Sequence, residues 1–83
     1  MKLTVRYFAA LREALGVQET VHLPASATVR GLRDQLIASS PHHAEALRRN
    51  RVLRCAVNQV LADESVALED GAEVAFFPPV TGG

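Results

Sequence analysis

Two segments far apart in the sequence constrain the fold more than any other feature. Residues 2–8 and residues 73–77 both place apolar side chains at every second position. A period of two predicts a β-strand with one buried face. The inward-facing side chains are those of Leu3, Val5, Tyr7, Val74 and Phe76. The fold must therefore bring two half-buried strands, separated by most of the sequence, into one core.

One long helix is predicted between these strands. Thr28 is typical of an N-cap, and Val29, Leu32 and Leu36 then follow at the spacing of one apolar stripe. We expect the helix to run to about Ser39. Its outer, solvent-facing side is expected to carry Arg30, Arg33, Asp34 and Gln35.

Shorter elements complete the order. The predicted segments are a short helix at 9–15, a strand at 19–23, a second short helix from 40, a strand at 53–57 and a very short strand at 60–61. This order predicts an α+β roll, in which a mixed sheet carries one main helix on one face. The first and last strands are expected to lie side by side and parallel at its centre.

Composition limits the class of protein. The chain has 83 residues, enough for one domain, and its nine basic residues balance nine acidic ones. No basic footprint for nucleic acid is present, no apolar run approaches the ~20 residues that cross a bilayer, and no signal-peptide pattern precedes the first strand. The single Cys55 excludes an internal disulfide and is predicted to be an inert core thiol. We expect a cytoplasmic protein that contacts neither nucleic acid nor membrane.

Catalytic and metal-binding patterns are weak. His42 and His43 are adjacent and without further ligands at metal-binding spacing, so we predict that both are solvated and that no metal binds. No glycine-rich phosphate loop and no nucleophile–histidine arrangement is recognised, so ATP is not expected to bind this chain. A basic run is predicted to be a charged surface loop, with an acidic partner surface as the alternative; it comprises Arg48, Arg49, Arg51 and Arg54.

Residues 78–83 have the composition of an extended tail. Pro78 and Pro79 fix their own φ angles and favour a stiff rod, and Gly82 and Gly83 have no Cβ, so a narrow channel could close around them. We therefore divide the chain into a domain at 1–77 and a tail at 78–83. A frayed, idle terminus is the alternative.

An apolar patch is predicted beside this tail. Phe8 and Phe77 both fall on the outward phase of their strands, and Leu61 is expected nearby. A contiguous exposed apolar surface often marks a site for a protein partner. These three side chains are therefore candidate docking contacts.

Several segments together resemble the small, sulfur-carrying subunit of molybdopterin synthase, and the resemblance spans the whole chain. It depends on Tyr7-Phe8-Ala9, Leu11-Arg12-Glu13, Gly16, Ala56-Val57-Asn58-Gln59, Asp70-Gly71 and the run from Glu73 to Gly83. Residues 18–54 match by pattern only. Ala72 departs from the family, which commonly has an acidic residue there; this affects the turn and a possible surface contact.

The resemblance implies a ubiquitin-like β-grasp fold and a chemistry located at Gly83. In the family, a ubiquitin-activating-like (E1-like) adenylyltransferase uses ATP to adenylate the terminal carboxylate, which sulfur converts to a thiocarboxylate. The small subunit binds no cofactor and is no enzyme by itself. It threads its tail, here Val80, Thr81 and Gly82, into the large subunit of a heterotetramer and donates sulfur to cyclic pyranopterin monophosphate. Arg12 is implied as a polar docking contact.

Three other functions remain open from the sequence. The chain could carry sulfur for another pathway, such as thiamine synthesis or tRNA thiolation. It could modify proteins through an isopeptide bond at Gly83. It could also be a noncovalent interaction module whose tail has no chemistry.

Overall fold

The computed structural model describes residues 1–79 and contains five strands and three helices there. In chain order these are β1 (Lys2–Tyr7), α1 (Ala10–Leu15), β2 (Gln18–His22), α2 (Val29–Ser39), α3 (Pro41–Ala46), β3 (Arg54–Val57), β4 (Val60–Ala62) and β5 (Glu73–Phe77). The predicted elements all exist, and their observed ends differ from the predicted ends by no more than one residue. The alternation of apolar side chains was sufficient to find the strands.

The strands form one sheet in the order β2-β1-β5-β3-β4. β1 and β5 are parallel, with Tyr7 opposite Phe76, and all other neighbouring pairs are antiparallel. The predicted mixed sheet with its first and last strands paired at the centre is confirmed. Phe8 extends this pair, because its N–H donates to the carbonyl of Phe76 at 3.2 Å.

The core lies on one face of the sheet. The inward side chains of β1 and β5 join the apolar stripe of α2 in a single buried cluster. Its largest fully buried members are Tyr7, Phe76, Leu3, Leu11, Leu32, Leu36, Leu47, Val5, Val29 and Val74. Thr28 caps α2 as predicted, since its hydroxyl accepts a 3.2 Å hydrogen bond from the N–H of Gly31. Burial of Cys55 in this cluster is also as predicted.

Two turns with positive φ angles lie near the start of β5, one between β3 and β4 and one in the loop before β5. Asn58 and Gln59 both have positive φ angles, and the Asn58 side chain accepts a 3.0 Å hydrogen bond from the N–H of Glu73. Asparagine tolerates this left-handed conformation better than most residues. At the same end of β5, Gly71 in the preceding loop also has a positive φ. The adjacent Ala72, where the chain departs from the family pattern, is buried and packs into the core.

Arg33 is not on the solvent-facing side of α2, and this prediction is wrong. Its side chain is 3% exposed and donates to the carbonyls of Leu47, Arg48 and Arg51 and to the carboxylate of Glu64. Position 33 lies four residues after Val29 and three before Leu36, inside the apolar stripe. Helical spacing alone therefore indicated that Arg33 is buried. Its charge led to the wrong prediction that it faces solvent.

Two arginines of the predicted basic run form ion pairs within the chain. Arg49 pairs with both Asp34 and Glu64, and Arg48 pairs with Glu45 at 2.9 Å. The Arg49–Asp34 pair and the hydrogen bonds from Arg33 to the carbonyls of Arg48 and Arg51 join residues 48–51 to α2. The arginines thus satisfy internal carboxylates, which supports the charged-loop interpretation over an acidic partner surface for Arg48 and Arg49.

His42 is exposed as predicted, but His43 is not solvated. Its Nε2 lies 2.7 Å from Glu19 Oε2, which also accepts a 2.7 Å hydrogen bond from the buried hydroxyl of Tyr7. Its Nδ1 lies 2.6 Å from Ser40 Oγ. The sequence showed no nucleophile–histidine arrangement, and this Ser40–His43 contact is one that its pattern did not reveal. Ser40 is the N-cap of α3, where its hydroxyl accepts the His43 N–H, so we assign this array a structural role.

None of the described helices is long and apolar enough to cross a membrane. Within residues 1–79, no group of three or more acidic, histidine or cysteine side chains is arranged to hold a metal ion.

Candidate functional site

The outer face of the sheet carries a row of side chains that crosses four strands. Arg6 on β1 is opposite Ala75 on β5, Ala75 is opposite Ala56 on β3, and Ala56 is opposite Leu61 on β4. Because facing residues in a sheet share a side, all four project away from the core. The two central members are alanines, whose short side chains leave a depression in the middle of this face.

A shallow hollow lies over these alanines. Its apolar walls are Phe8 and Phe77 together with Pro78 and Pro79. Phe8 is 38% exposed, while Phe77 and both prolines are half-buried. The structure thus brings the two predicted phenylalanines together and places the two prolines that follow β5 beside them.

The other end of the hollow is polar. It is lined by Arg6, Glu73 and Gln59. The guanidinium carbon of Arg6 lies 5.3 Å from the centre of the Phe8 ring, within the range of a cation–π contact. One side of the hollow can therefore receive an apolar group while the other offers charge.

The third predicted docking residue, Leu61, lies on the same outer face but not in this hollow. It is 71% exposed and lines a second hollow with Val57, Val60 and Val66 at the edge of the sheet. A partner that covers both hollows would contact all three predicted docking side chains.

Arg12 is exposed on α1 and is not among the residues that line either hollow. Its assignment as a docking contact stays a prediction. The predicted tail residues Val80, Thr81, Gly82 and Gly83 lie outside the described residues. The proposed division into a domain at 1–77 and a tail at 78–83 stays a prediction as well, although β5 ends at Phe77.

Sequence reasoning missed the floor and the charged end of the hollow. Ala56 and Ala75 alternate with buried apolar residues, and this phase was sufficient to place both on the outer face. Arg6 has the same phase as Phe8. The sequence pattern does not show that β3 flanks β5, which is what brings Ala56 next to Ala75.

Cys55 is unsuited to nucleophilic chemistry. Its Sγ is 3.2 Å from the carbonyl oxygen of Ala62, and burial is the main cause that raises the pKa of this thiol. Nearby Glu64 and Asp63 raise the pKa further. A thiol that stays protonated is a poor nucleophile and a poor metal ligand.

The fold is the ubiquitin-like β-grasp, a five-stranded mixed sheet with one main helix on one face. The crystal structure of small archaeal modifier protein 1 from H. volcanii is similar to it, with a TM-score of 0.77 and 27% identity over 95% of this chain and 98% of that chain. A Helicobacter pylori protein, solved as a complex of subunits 1 and 2 of molybdopterin-converting factor, is also similar. Its TM-score is 0.69, with 27% identity and full coverage of both chains.

Within this class, the chain belongs to the ThiS family, whose model matches residues 5–83. The chain is similar to the molybdopterin synthase sulfur carrier subunit of Escherichia coli, with 46% identity over 95% of this chain and 96% of that protein. The Haemophilus influenzae protein of the same name is 40% identical over 98% of this chain and 99% of its own length. The family resemblance inferred from the sequence is confirmed.

Proposed function

We propose that this chain is the sulfur carrier subunit of molybdopterin synthase in molybdenum cofactor biosynthesis. The observation that carries the proposal is the hollow formed by Phe8, Phe77, Pro78 and Pro79, which lies at the C-terminal end of β5. Relatives with this name match nearly the full chain at 40–46% identity. The position of the hollow supports a role in which a partner binds the domain and receives the tail at the same time.

The reactive group in this proposal is the carboxylate of Gly83. A carboxylate is a poor electrophile, so an E1-like adenylyltransferase first uses ATP to form an acyl adenylate and release pyrophosphate. A sulfur nucleophile then displaces AMP, and the product is a thiocarboxylate. The thiocarboxylate sulfur displaces an oxygen substituent of cyclic pyranopterin monophosphate and forms the new C–S bond. Water then cleaves the acyl–sulfur bond, which leaves the sulfur on the pterin and returns the Gly83 carboxylate.

The large subunit supplies the active site in this scheme. Phe8 and Phe77, with Leu61 and Arg12, form the docking contacts, and Val80, Thr81 and Gly82 thread into the partner. Holding the donor next to its acceptor replaces a bimolecular encounter by an intramolecular one, which is a large rate effect. The H. pylori relative solved with its subunit 2 supports this pairing, and two copies of each subunit would give the heterotetramer.

A second candidate function is covalent protein modification through Gly83. It is favoured by the likeness to small archaeal modifier protein 1 from H. volcanii. Finding the chain joined to lysines of other proteins by an isopeptide bond would support it. If the chain instead carries sulfur for thiamine synthesis or tRNA thiolation, it should not bind the molybdopterin synthase large subunit.

The test is intact-mass spectrometry after incubation of the chain with cell extract, ATP and a sulfur source. We expect a shift equal to the exchange of one oxygen for sulfur, lost when ATP is omitted or Gly83 is deleted. An unchanged mass, with a known carrier converted in the same extract, would contradict the proposal and favour a noncovalent interaction module.

A further inference from the structure

Arg6 occupies an unusual position at the docking hollow. It lies on the outer face of β1, above the ring of Phe8, and its side chain is 36% exposed. Glu73 is the nearest carboxylate, but the Nη1–Oε1 distance of 4.0 Å is beyond a hydrogen bond. Within residues 1–79 the guanidinium is therefore held by the aromatic ring and not by an acceptor oxygen.

One of its donors is moreover withdrawn from water. Arg6 Nε is buried and has no hydrogen-bond partner among the described residues. Leaving a buried donor unsatisfied is unfavourable, and most buried polar atoms in proteins are paired. A guanidinium with a desolvated edge and an accessible remainder is already partly prepared for an ion pair, since less water must be removed when a carboxylate binds.

The surroundings indicate which kind of occupant fits. Beyond Arg6 the floor is Ala75 and Ala56, and the far wall is Phe77 with the two prolines. Because Arg6 lines the same hollow as the alanines, a partner that places an apolar side chain over them can place an acidic side chain on the same face against Arg6. Arginine is enriched at the centres of protein interfaces, and its planar fork matches a carboxylate.

We propose that Arg6 determines partner specificity by pairing with an acidic side chain of the molybdopterin synthase large subunit that docks in this hollow. This inference rests on the proposed function and adds the chemistry of the docking segment: an apolar side chain followed by a carboxylate. Arg6 positions the partner and does not act on the transferred sulfur.

The test is calorimetric titration of the full chain with the large subunit from the same organism. Arg6→Met keeps most of the stem and removes the charge, and we expect it to raise the Kd at least about tenfold. Arg6→Lys should recover part of the affinity. Binding of the parent should weaken with added salt more steeply than that of Arg6→Met, because the ion pair is screened. Arg30→Met, at an exposed arginine on α2, is the matched control and should bind like the parent.

Each outcome bears on a separate statement. If the parent binds and Arg6→Met binds equally well, the role of Arg6 is refuted while the proposed function stands. If the parent does not bind at all, both fail. The third outcome uses the parent and Arg6→Met, each without residues 80–83. If these two shortened chains bind the large subunit equally well, the acceptor of Arg6 belongs to the chain's own tail, which also overturns the inference. Thermal unfolding of each variant separates lost binding from lost folding.

Discussion

Arg33 Nη1 lies 2.6 Å from Glu64 Oε2, and this ion pair joins the main helix to the loop that follows β4. The arginine is buried, whereas the Glu64 side chain keeps 28% of its surface exposed. The same guanidinium closes residues 47–51 against the helix through three backbone carbonyls. One side chain thus connects three segments that are distant in sequence.

Arg33→Met should destabilise the fold strongly. The substitution leaves three carbonyls and one carboxylate oxygen without their donor, and losing one partner of a buried ion pair typically costs about 3–5 kcal/mol. Urea unfolding measures the change in the free energy of unfolding. Arg30→Met on the exposed side of α2 is the control and should stay within about 0.5 kcal/mol of the parent. Equal effects of the two substitutions would refute the structural role of Arg33.

Glu64 should make stability depend on pH on the acidic side. Burial raises the pKa of its carboxyl, but hydrogen bonds from Arg49 and Arg33 outweigh burial and hold the pKa below its ordinary value of 4.5. A lowered pKa stabilises the fold above pH 4.5, and this contribution is lost as the pH falls through the lower pKa of the folded state. The stability difference between the parent and Glu64→Gln should therefore shrink from neutral pH to about pH 3. A difference that stays constant across this range would contradict the prediction.

Tyr7 should make stability depend on pH on the alkaline side. Burial, followed by the hydrogen bond to Glu19 and its charge, raises the pKa of this phenol far above 10.0. A raised pKa contributes stability that is complete below pH 10.0 and is lost as the pH rises toward the higher pKa of the folded state.

The readout for Tyr7 is unambiguous, because it is the only tyrosine in the chain. Tyrosinate absorbance should stay low in the folded chain just above pH 10.0 and appear when urea unfolds it. Tyr7→Phe should cost about 1 kcal/mol at neutral pH through the lost hydrogen bond, and should remove this part of the alkaline loss. Tyrosinate absorbance in a chain that is still folded at that pH would show that the phenol is accessible and the prediction wrong.

Phe77→Asp should abolish most of the affinity for the large subunit. A charge in the wall of the hollow opposes burial of an apolar group, and an interface residue of this type typically changes the Kd by about thirtyfold or more. Titration calorimetry measures the Kd. Ala38→Asp introduces the same charge on α2, which packs on the other face of the sheet, and should leave binding unchanged. Intact complex formation by Phe77→Asp would refute docking at this hollow.

The strands, the long helix and its cap were predictable because each depends on neighbours close in sequence. Period-two patterns at residues 2–8 and 73–77 and the stripe that begins at Val29 are local signals. The outer-face phase of Phe8 and Phe77 follows from the same alternation. These signals were sufficient for the sheet's central parallel pair and for the two phenylalanines of the hollow.

The polar interior was not predictable in the same way. Arg33 lies in the apolar stripe by spacing, but its acceptors are carbonyls of residues 47–51, which no pattern in α2 indicates. His43 was predicted to be solvated because its partner Glu19 belongs to β2, which the topology brings close to α3. The place of Arg6 in the hollow follows only from the structure, in which β5 brings Ala75 and Glu73 next to it. Each of these depends on contacts between distant segments.

The parallel pairing of β1 with β5 also determines when the hollow can form during synthesis of the chain. During synthesis on the ribosome, β1 emerges early and waits without its central neighbour until Glu73–Phe77 has been made. Phe8 and Phe77, at the ends of these two strands, face a common hollow only after that late pairing. A nascent or truncated chain therefore cannot form the hollow that we propose as the docking surface. In our proposal, partner enzymes would commit ATP and sulfur only to carriers that have finished folding.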